Sequence, residues 1–220
     1  MTAPDGFQRT VFPGYFISLD GPDGGGKTTQ AAMLVKWLRA LGHDVVACRD
    51  PGGTGVGERL RPILLERQDL HISLRTEMLL YMASRAQLVE EVIRPALEAG
   101  RIVVSDRFLL ANVVYQGYAG GLPVHELWRV GQSATGGLLP DLTLLLDVPA
   151  EVAQARVGAP RDRIEDRSDD YRQRVRDGFL DASKTYPARI VVVNAAAEAE
   201  AVCGRLQSEV SRGLAERARA

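Results

Sequence analysis

The chain has 220 residues and a formal net charge of −1, with 45% hydrophobic and 25% charged residues. That suffices for one α/β domain with a full core, and the balanced charge excludes a bulk basic field for nucleic acid. Two cysteines, Cys48 and Cys203, fit no metal-ligand spacing or disulfide framework, and no apolar run reaches bilayer length, so a reducing cytoplasm and no membrane partner are expected.

Residues 1–14 lack the basic start and apolar centre of a signal peptide and read as a flexible lead-in. Tyr15 to Leu19 is an apolar run ended by Asp20-Gly21, the mark of a buried first strand. A glycine-rich loop follows, then a helix from Lys27 to Leu41, with Ala31, Leu34, Val35 and Leu38 at helical spacing and Gly42 as its stop. Val45 to Cys48 is the second strand, Asp50 to Gly55 a loop, and Gly57 to Leu65 a short helix. Ser73 caps a long helix predicted to run to Ala99, kinked by Pro95 and closed by Gly100.

Ile102 to Ser105 forms the third strand, followed by helical segments at Asn112 to Gln116 and Val124 to Thr135. Leu142 to Val148 is the fourth strand, residues 150–157 are helical, and Arg161 to Asp170 is a dense charged loop. Tyr171 to Ser183 is helix, Ile190 to Val193 the fifth strand, and a last helix begins near Ala197 and frays from Gly213 onward. Apolar strands separated by helices imply an α/β fold: a parallel five-stranded sheet flanked by helices on both faces, with ligands at the carboxyl ends of the strands. The expected organisation is one domain over 15–213, with a mobile lid at about 158–170 and a tail over 214–220.

Gly21-Pro22-Asp23-Gly24-Gly25-Gly26-Lys27-Thr28 matches the P-loop pattern G-x-x-x-x-G-K-[ST], placed between a strand and a helix as its mechanism demands. The glycines let successive N–H groups curl round an anion, and the helix starting at Lys27 aims its positive end at the same point. Lys27 would reach the β- and γ-phosphates of ATP, and Thr28 would give a hydroxyl to Mg²⁺. Gly21, Asp23, Gly24, Gly25, Gly26 and Thr29 complete the expected nucleotide cradle. Asp23 either caps the helix or accepts from a sugar hydroxyl or a metal-bound water.

Three classes share a P-loop. A switch GTPase should carry N-K-x-D, which is lacking, and a mechanical ATPase a strand ending in Asp-Glu; here the third strand ends Ser105-Asp106-Arg107. An acid beside an arginine suits a kinase, the acid orienting Mg²⁺ water and the arginine pairing with an acceptor phosphate. Arg161 and Arg163, on a charged loop, could close over the phosphates, damp transition-state charge and exclude water. Taken alone, a charge-rich run is more often solvated surface.

Four blocks in order are the P-loop, Arg49 to Thr54, Asp106-Arg107-Phe108 leading to Tyr115-Gln116-Gly117, and Asp162 to Glu165; a weaker fifth is Glu77 to Arg85. Together they resemble the thymidylate kinase family over about Phe16 to Ala195. The resemblance implies a P-loop NTPase fold and transfer of the γ-phosphate of ATP to dTMP, giving dTDP and ADP for dTTP synthesis, with Mg²⁺ and usually as a homodimer. It implies that Tyr81 stacks on thymine, that Arg85 reaches a base carbonyl, and that Asn112 and Gln116 read the base edge. It also implies that Arg61 and Arg107 hold the monophosphate, that Asp23 faces the 3′-hydroxyl, and that lid arginines fall at or near Arg156, Arg161 and Arg163. Without the family, Tyr81 reads as core packing beside Leu80 and Met82.

Gly24 stands where one subclass has an arginine, which points to the bacterial subclass with lid arginines. Asp50 replaces the usual glutamate, moving its carboxylate by ~1.5 Å, about one bond length, enough to exchange a direct contact for a water-mediated one. Leu110-Ala111 replaces an Asp-Ser pair and removes polar groups near the sugar. The expected chemistry is in-line transfer without a covalent intermediate, Lys27, Mg²⁺, Arg107 and the lid arginines damping repulsion between two polyanions. The rival readings are a deoxynucleoside kinase and a nucleotide-binding module without turnover.

Overall fold

The computed structural model describes residues 11–66, 70–156, 168–185 and 189–219. Among them a single parallel sheet has the order β2-β3-β1-β4-β5, built from β1 (Tyr15–Asp20), β2 (Val45–Arg49), β3 (Ile102–Asp106), β4 (Leu142–Asp147) and β5 (Ile190–Asn194). β1 lies at the centre, with Leu19 beside Asp106 of β3 and Leu144 of β4. Its connections leave on one side to β2 and return past it to β4. That reversal opens a crevice at the carboxyl ends of β1 and β3, where the acids Asp20 and Asp106 sit.

Alternation along the central strands sorts side chains to two faces. Ile17 and Leu19 join Leu34, Val35 and Leu38 of α1 (Lys27–Ala40) and Val202, Leu206 and Val210 of α9 (Ala199–Arg217) in one buried cluster. Phe16 and Val103 point the other way, into a cluster with Met78, Met82 and Leu88 of α3 (Leu74–Leu88) and Leu127 and Trp128 of α6 (Val124–Thr135). A third cluster joins Leu145 to α8 (Asp169–Thr185) through Tyr171, Val175 and Phe179. The two-sided cover explains why the strands read as nearly continuous apolar runs.

Several element boundaries depart from expectation for physical reasons. α2 (Gly55–Leu65) starts two residues early, because the Thr54 hydroxyl accepts from the Gly57 N–H at 3.0 Å and caps it. Ser73 caps α3 as expected, accepting from Thr76 N at 3.2 Å. The long helix does not run unbroken to Ala99. After α3 come a π-helical turn, Val89–Ile93, and then α4 (Arg94–Glu98). Pro95 has no N–H for the carbonyl of Glu91, and its ring would press on that carbonyl; the wider turn removes both conflicts. A second π-helical turn, Val113–Tyr118, continues α5 (Leu109–Asn112), where one regular helix was expected.

α7 (Ala150–Arg156) follows the predicted helix, whose last position, 157, lies outside the described residues. Asp169 and Asp170, expected in the charged loop, form the first turn of α8. The rest of the expected lid, 158–167, and residues 1–10 of the lead-in lie outside the described residues. The end of the lead-in is anchored, Gly14 N–H donating to the Leu97 carbonyl at 2.9 Å. α9 continues past Gly213 to Arg217, whose guanidinium donates to the Phe12 carbonyl. Among the described residues no helix is long and apolar enough to cross a membrane.

Candidate active site

The phosphate loop is made by backbone. Gly21, Gly24 and Gly26 have φ of 138°, 76° and 83°, a region open to glycine at little cost. A Cβ on Gly24 would collide with the Ala153 carbonyl of α7, so an arginine cannot stand here without moving that helix. Lys27 is 7% exposed and its ammonium donates to the Pro22 carbonyl at 2.6 Å. Burial, then the nearby Arg107 charge, lowers its pKa to about 8, with Asp23, Asp106 and Asp20 offsetting only part. The Thr28 hydroxyl donates to Asp106 Oδ2 at 2.5 Å, so both predicted metal ligands share one point of the cleft.

Behind the loop, Asp20 is fully buried. Its Oδ2 accepts from the Ser18 hydroxyl at 3.0 Å, while Oδ1 has no hydrogen-bond partner among the described residues. Burial raises its pKa to about 6 against the lowering charges of Arg107 and Lys27.

Arg107 ties the loop to the acceptor side. Its φ of 69° lies in the left-handed region, a strain of about 1–3 kcal/mol for a residue other than glycine. Two bonds hold it there: its N–H donates to the Leu19 carbonyl at 2.9 Å, and its carbonyl accepts from the Ser105 hydroxyl at 2.7 Å. The guanidinium donates to Gly21 O at 2.9 Å, to the Asp23 carboxylate and to Tyr115 Oη at 3.2 Å. Tyr115 in turn donates to Asp23 Oδ2 at 2.8 Å. Burial raises the Asp23 pKa, but Arg107 and Lys27 together with the Tyr115 hydroxyl outweigh it and hold the acid below its ordinary range.

The opposite end is built from side chains on three separate segments. Asp50 follows β2, Arg85 is on α3, Asn112 ends α5, and Gln116 lies in the second π-helical turn. Arg85 Nε donates to Asp50 Oδ2 at 2.5 Å, and one terminal nitrogen donates to Asn112 Oδ1 at 2.9 Å. Asn112 Nδ2 donates to Gln116 Oε1 at 2.6 Å, and Gln116 Nε2 to Glu77 Oε1 at 2.7 Å. Asp50 thus keeps a direct bond to Arg85 despite its short arm, and its Oδ1 has no hydrogen-bond partner among the described residues. Burial raises the Asp50 pKa, with Arg85 opposing. Leu110 and Ala111 are buried in the cluster with Tyr171 and Phe179, so the position of the usual polar pair is taken by packing against α8.

One cleft of about 410 Å³ joins the two ends. Asp23, Gly24, Gly26, Lys27, Thr28 and Thr29 line the phosphate end, Arg61, Asp106 and Arg107 the middle, and Asp50, Tyr81, Arg85, Asn112 and Gln116 the far end. Gly21 and Gly25 shape the loop from behind. Arg61 donates to the Pro51 carbonyl at 2.6 Å, and its pKa is lowered by burial and by the charge of Arg49. Arg161 and Arg163 lie outside the described residues. Arg156 does not face the cleft as a lid arginine would. It donates to the Ala195 carbonyl at 2.8 Å and to those of Ala196 and Ala197, pinning α7 to the connection after β5.

Tyr115, Arg49 and Glu77 fell within the family blocks but were given no role from the sequence. Tyr115 and Arg49 line the cleft, and Glu77 is fully buried behind it. Glu77 and Arg85 are eight residues apart, two turns on one helix face, flanked by the apolar Met78 and Met82. Charges on a core-facing stripe were the available signal.

A phosphate loop at the head of a parallel sheet, with Asp106 and Arg107 across from it and a second subsite in the same cleft, defines a P-loop kinase with two substrate ends. Residues 19–205 match the family model described as thymidylate kinase. A thymidylate kinase of Rhodopirellula baltica is 47% identical over 191 residues, covering 87% of this chain and 78% of the relative. Those of Caldanaerobacter subterraneus subsp. tengcongensis and Exiguobacterium sibiricum are 46% and 44% identical, covering 86% and 94% of this chain and 91% and 98% of the relatives. The chain belongs to the thymidylate kinase family.

Proposed function

We propose that the chain transfers the γ-phosphate of ATP to dTMP, giving dTDP and ADP for dTTP synthesis. The observation that carries this reading is the single cleft, which joins the glycine-lined phosphate loop to a buried array of donors suited to a planar base. ATP takes the loop, its phosphates held by backbone N–H groups, by Lys27 and by the helix terminus. dTMP takes the far end, with Tyr81 against the base, Arg85, Asn112 and Gln116 along its edge, Asp50 behind Arg85, and Asp23 toward the sugar. Arg61 and Arg107 hold its phosphate between the two ends.

The acceptor phosphate oxygen is already anionic at neutral pH, so no strong general base is required. The chain's work is alignment and neutralisation of two polyanions. Arg107 releases Asp23 and Tyr115 to meet the acceptor phosphate. Thr28 and Asp106 offer adjacent oxygens that fit a hard divalent cation, so these residues would hold Mg²⁺, which neutralises phosphate charge when bound. Arg161 and Arg163, in the expected lid ahead of α8, close the site against water. The same reading places the enzyme in the cytoplasm as a homodimer, with a single kinase domain.

The test is ADP release with ATP and Mg²⁺, offering dTMP, dUMP, dCMP, dGMP, AMP and thymidine separately. Strong turnover on dTMP alone is the expected result. Turnover on thymidine but not dTMP would assign a nucleoside kinase instead, and none on any acceptor a binding module.

A further inference from the structure

We propose that Glu77 is a positioning residue that sets base specificity, by fixing which way two pocket amides face. This rests on the reading of Arg85, Asn112 and Gln116 as the base contacts. The four side chains form one relay, and none is more than 2% exposed. Arg85 donates to Asn112, Asn112 to Gln116, and Gln116 to Glu77, at 2.9, 2.6 and 2.7 Å.

The two ends of the relay admit one direction only. A guanidinium donates and never accepts, and a carboxylate accepts and never donates, whereas an amide does either according to its rotation. With Arg85 at one end, Asn112 must turn its carbonyl toward it. With Glu77 at the other, Gln116 must turn its NH₂ toward the carboxylate. The middle bond then has the one polarity that satisfies both. Turning either amide over would place NH₂ against NH₂ or oxygen against oxygen, out of reach of water.

Asn112, Gln116 and Arg85 all line the cleft. In the fixed orientation each amide has spent one hydrogen inside the relay and keeps one, and the guanidinium, already donating to Asp50, Asn112, Met82 and the Phe108 carbonyl, has one N–H left to add. A wall of donors receives a ring carbonyl and opposes an exocyclic amino group, which is the difference between thymine and cytosine at carbon 4. Arg85 reaches Gln116 only through Asn112, whereas Glu77 holds the Gln116 NH₂ directly, so the two charges fix the relay from both ends. Asp50 completes the set by holding the Arg85 fork from its other side at 2.5 Å.

A helix-dipole role alone does not account for Glu77. Acids in a first helical turn are common on surfaces, but a fully buried carboxylate is kept only with strong partners, and Glu77 spends one oxygen on an amide that faces the cleft.

The test is a double-mutant cycle read in the ratio of kcat/KM for dTMP to that for dCMP, on wild type, Glu77→Gln, Gln116→Glu and the double variant. Glu77→Gln keeps shape but lets the neighbouring amide rotate; Gln116→Glu faces two acceptors. Each should shrink the ratio about tenfold or more, mainly through KM for the monophosphate, with KM for ATP unchanged. In the double variant the new amide donates to the new carboxylate, whose other oxygen still accepts from Asn112. The relay again runs one way and Asn112 keeps its remaining hydrogen, although position 116 no longer donates, so the ratio should exceed the additive expectation without reaching that of wild type.

A wild-type ratio in Glu77→Gln, or strict additivity in the double variant, overturns the proposal. Should Glu77→Gln fail to fold, the double variant is compared with Gln116→Glu alone, and equal ratios overturn it. Arg85→Ala separates the two levels. If it changes the ratio while Glu77→Gln does not, only this inference falls. If all variants keep the wild-type ratio, the base-site reading falls with it.

Discussion

The phosphate-loop end of the cleft and the end proposed for the base are built on opposite plans. The first is backbone: glycines in conformations costly to other residues, a helix terminus, and one lysine on a contiguous stretch of chain. The second is side chain: Asp50, Glu77, Arg85, Asn112 and Gln116 come from separate segments and meet in a buried, charge-terminated relay. A backbone cradle recognises any triphosphate of the right shape, because every residue offers the same N–H. A relay of amides and charges recognises one pattern of donors and acceptors, and it fails as a unit when one member changes.

Substitutions at the two ends should therefore fail in different ways. The largest effect is expected from Lys27→Ala, which removes the point charge from an otherwise intact cradle; kcat should fall by roughly 10³-fold while dTMP still binds, measurable by ADP release and by calorimetry. Near-normal turnover would remove the phosphate loop from the mechanism. Next is Arg85→Ala, which leaves Asp50 buried without its partner. It should raise KM for dTMP far more than KM for ATP, and lower stability by about 3–5 kcal/mol in urea titration. Equal effects on both substrates would erase the contrast between the ends.

Asp20 gives a smaller effect that is visible only through pH. Its pKa is raised to about 6 from an ordinary 3.8, so the folded state binds the extra proton between those values and stability is lost as pH rises through them. Asp20→Asn should therefore be more stable than wild type at pH 7, by on the order of 3 kcal/mol, with the gain gone at pH 4. Equal pH profiles would show that the buried acid is already compensated. The smallest expected effect concerns Lys27 in the native enzyme. With its pKa lowered to about 8, kcat/KM for ATP should be halved near pH 8 and fall further above it, since only the protonated ammonium holds phosphate.

The same contrast explains what could be read from the sequence. The phosphate loop was legible because its residues are contiguous and each has a backbone reason to be there. The strands were legible as apolar runs, β1 and β3 to within a residue of their observed ends. The two π-helical turns were not, since a wide turn has no composition of its own; only Pro95 hinted at the first. At the base end, Arg85, Asn112 and Gln116 came from family resemblance, whereas Glu77 stood only as the first residue of the fifth block, with no role. Its meaning depends on Gln116, 39 residues away, and on a helix crossing that no local pattern encodes. Arg156, at or near which the resemblance put a lid arginine, spends its guanidinium on the carbonyls after β5, partners that no sequence pattern shows.

The wide turn at Val113–Tyr118 carries Tyr115 and Gln116, and it takes one more residue per turn than a regular helix. Deleting a single residue there would let an ordinary turn, at about 100° per residue, cover nearly the same rotation with one residue fewer, so the elements beyond would keep their places while Tyr115 and Gln116 lost theirs. In lineages of this family, length changes should accumulate on either side of the turn and be purged within it, so that the spacing from Asn112 to Tyr118 serves as a more faithful ancestral marker than the identity of most residues inside it.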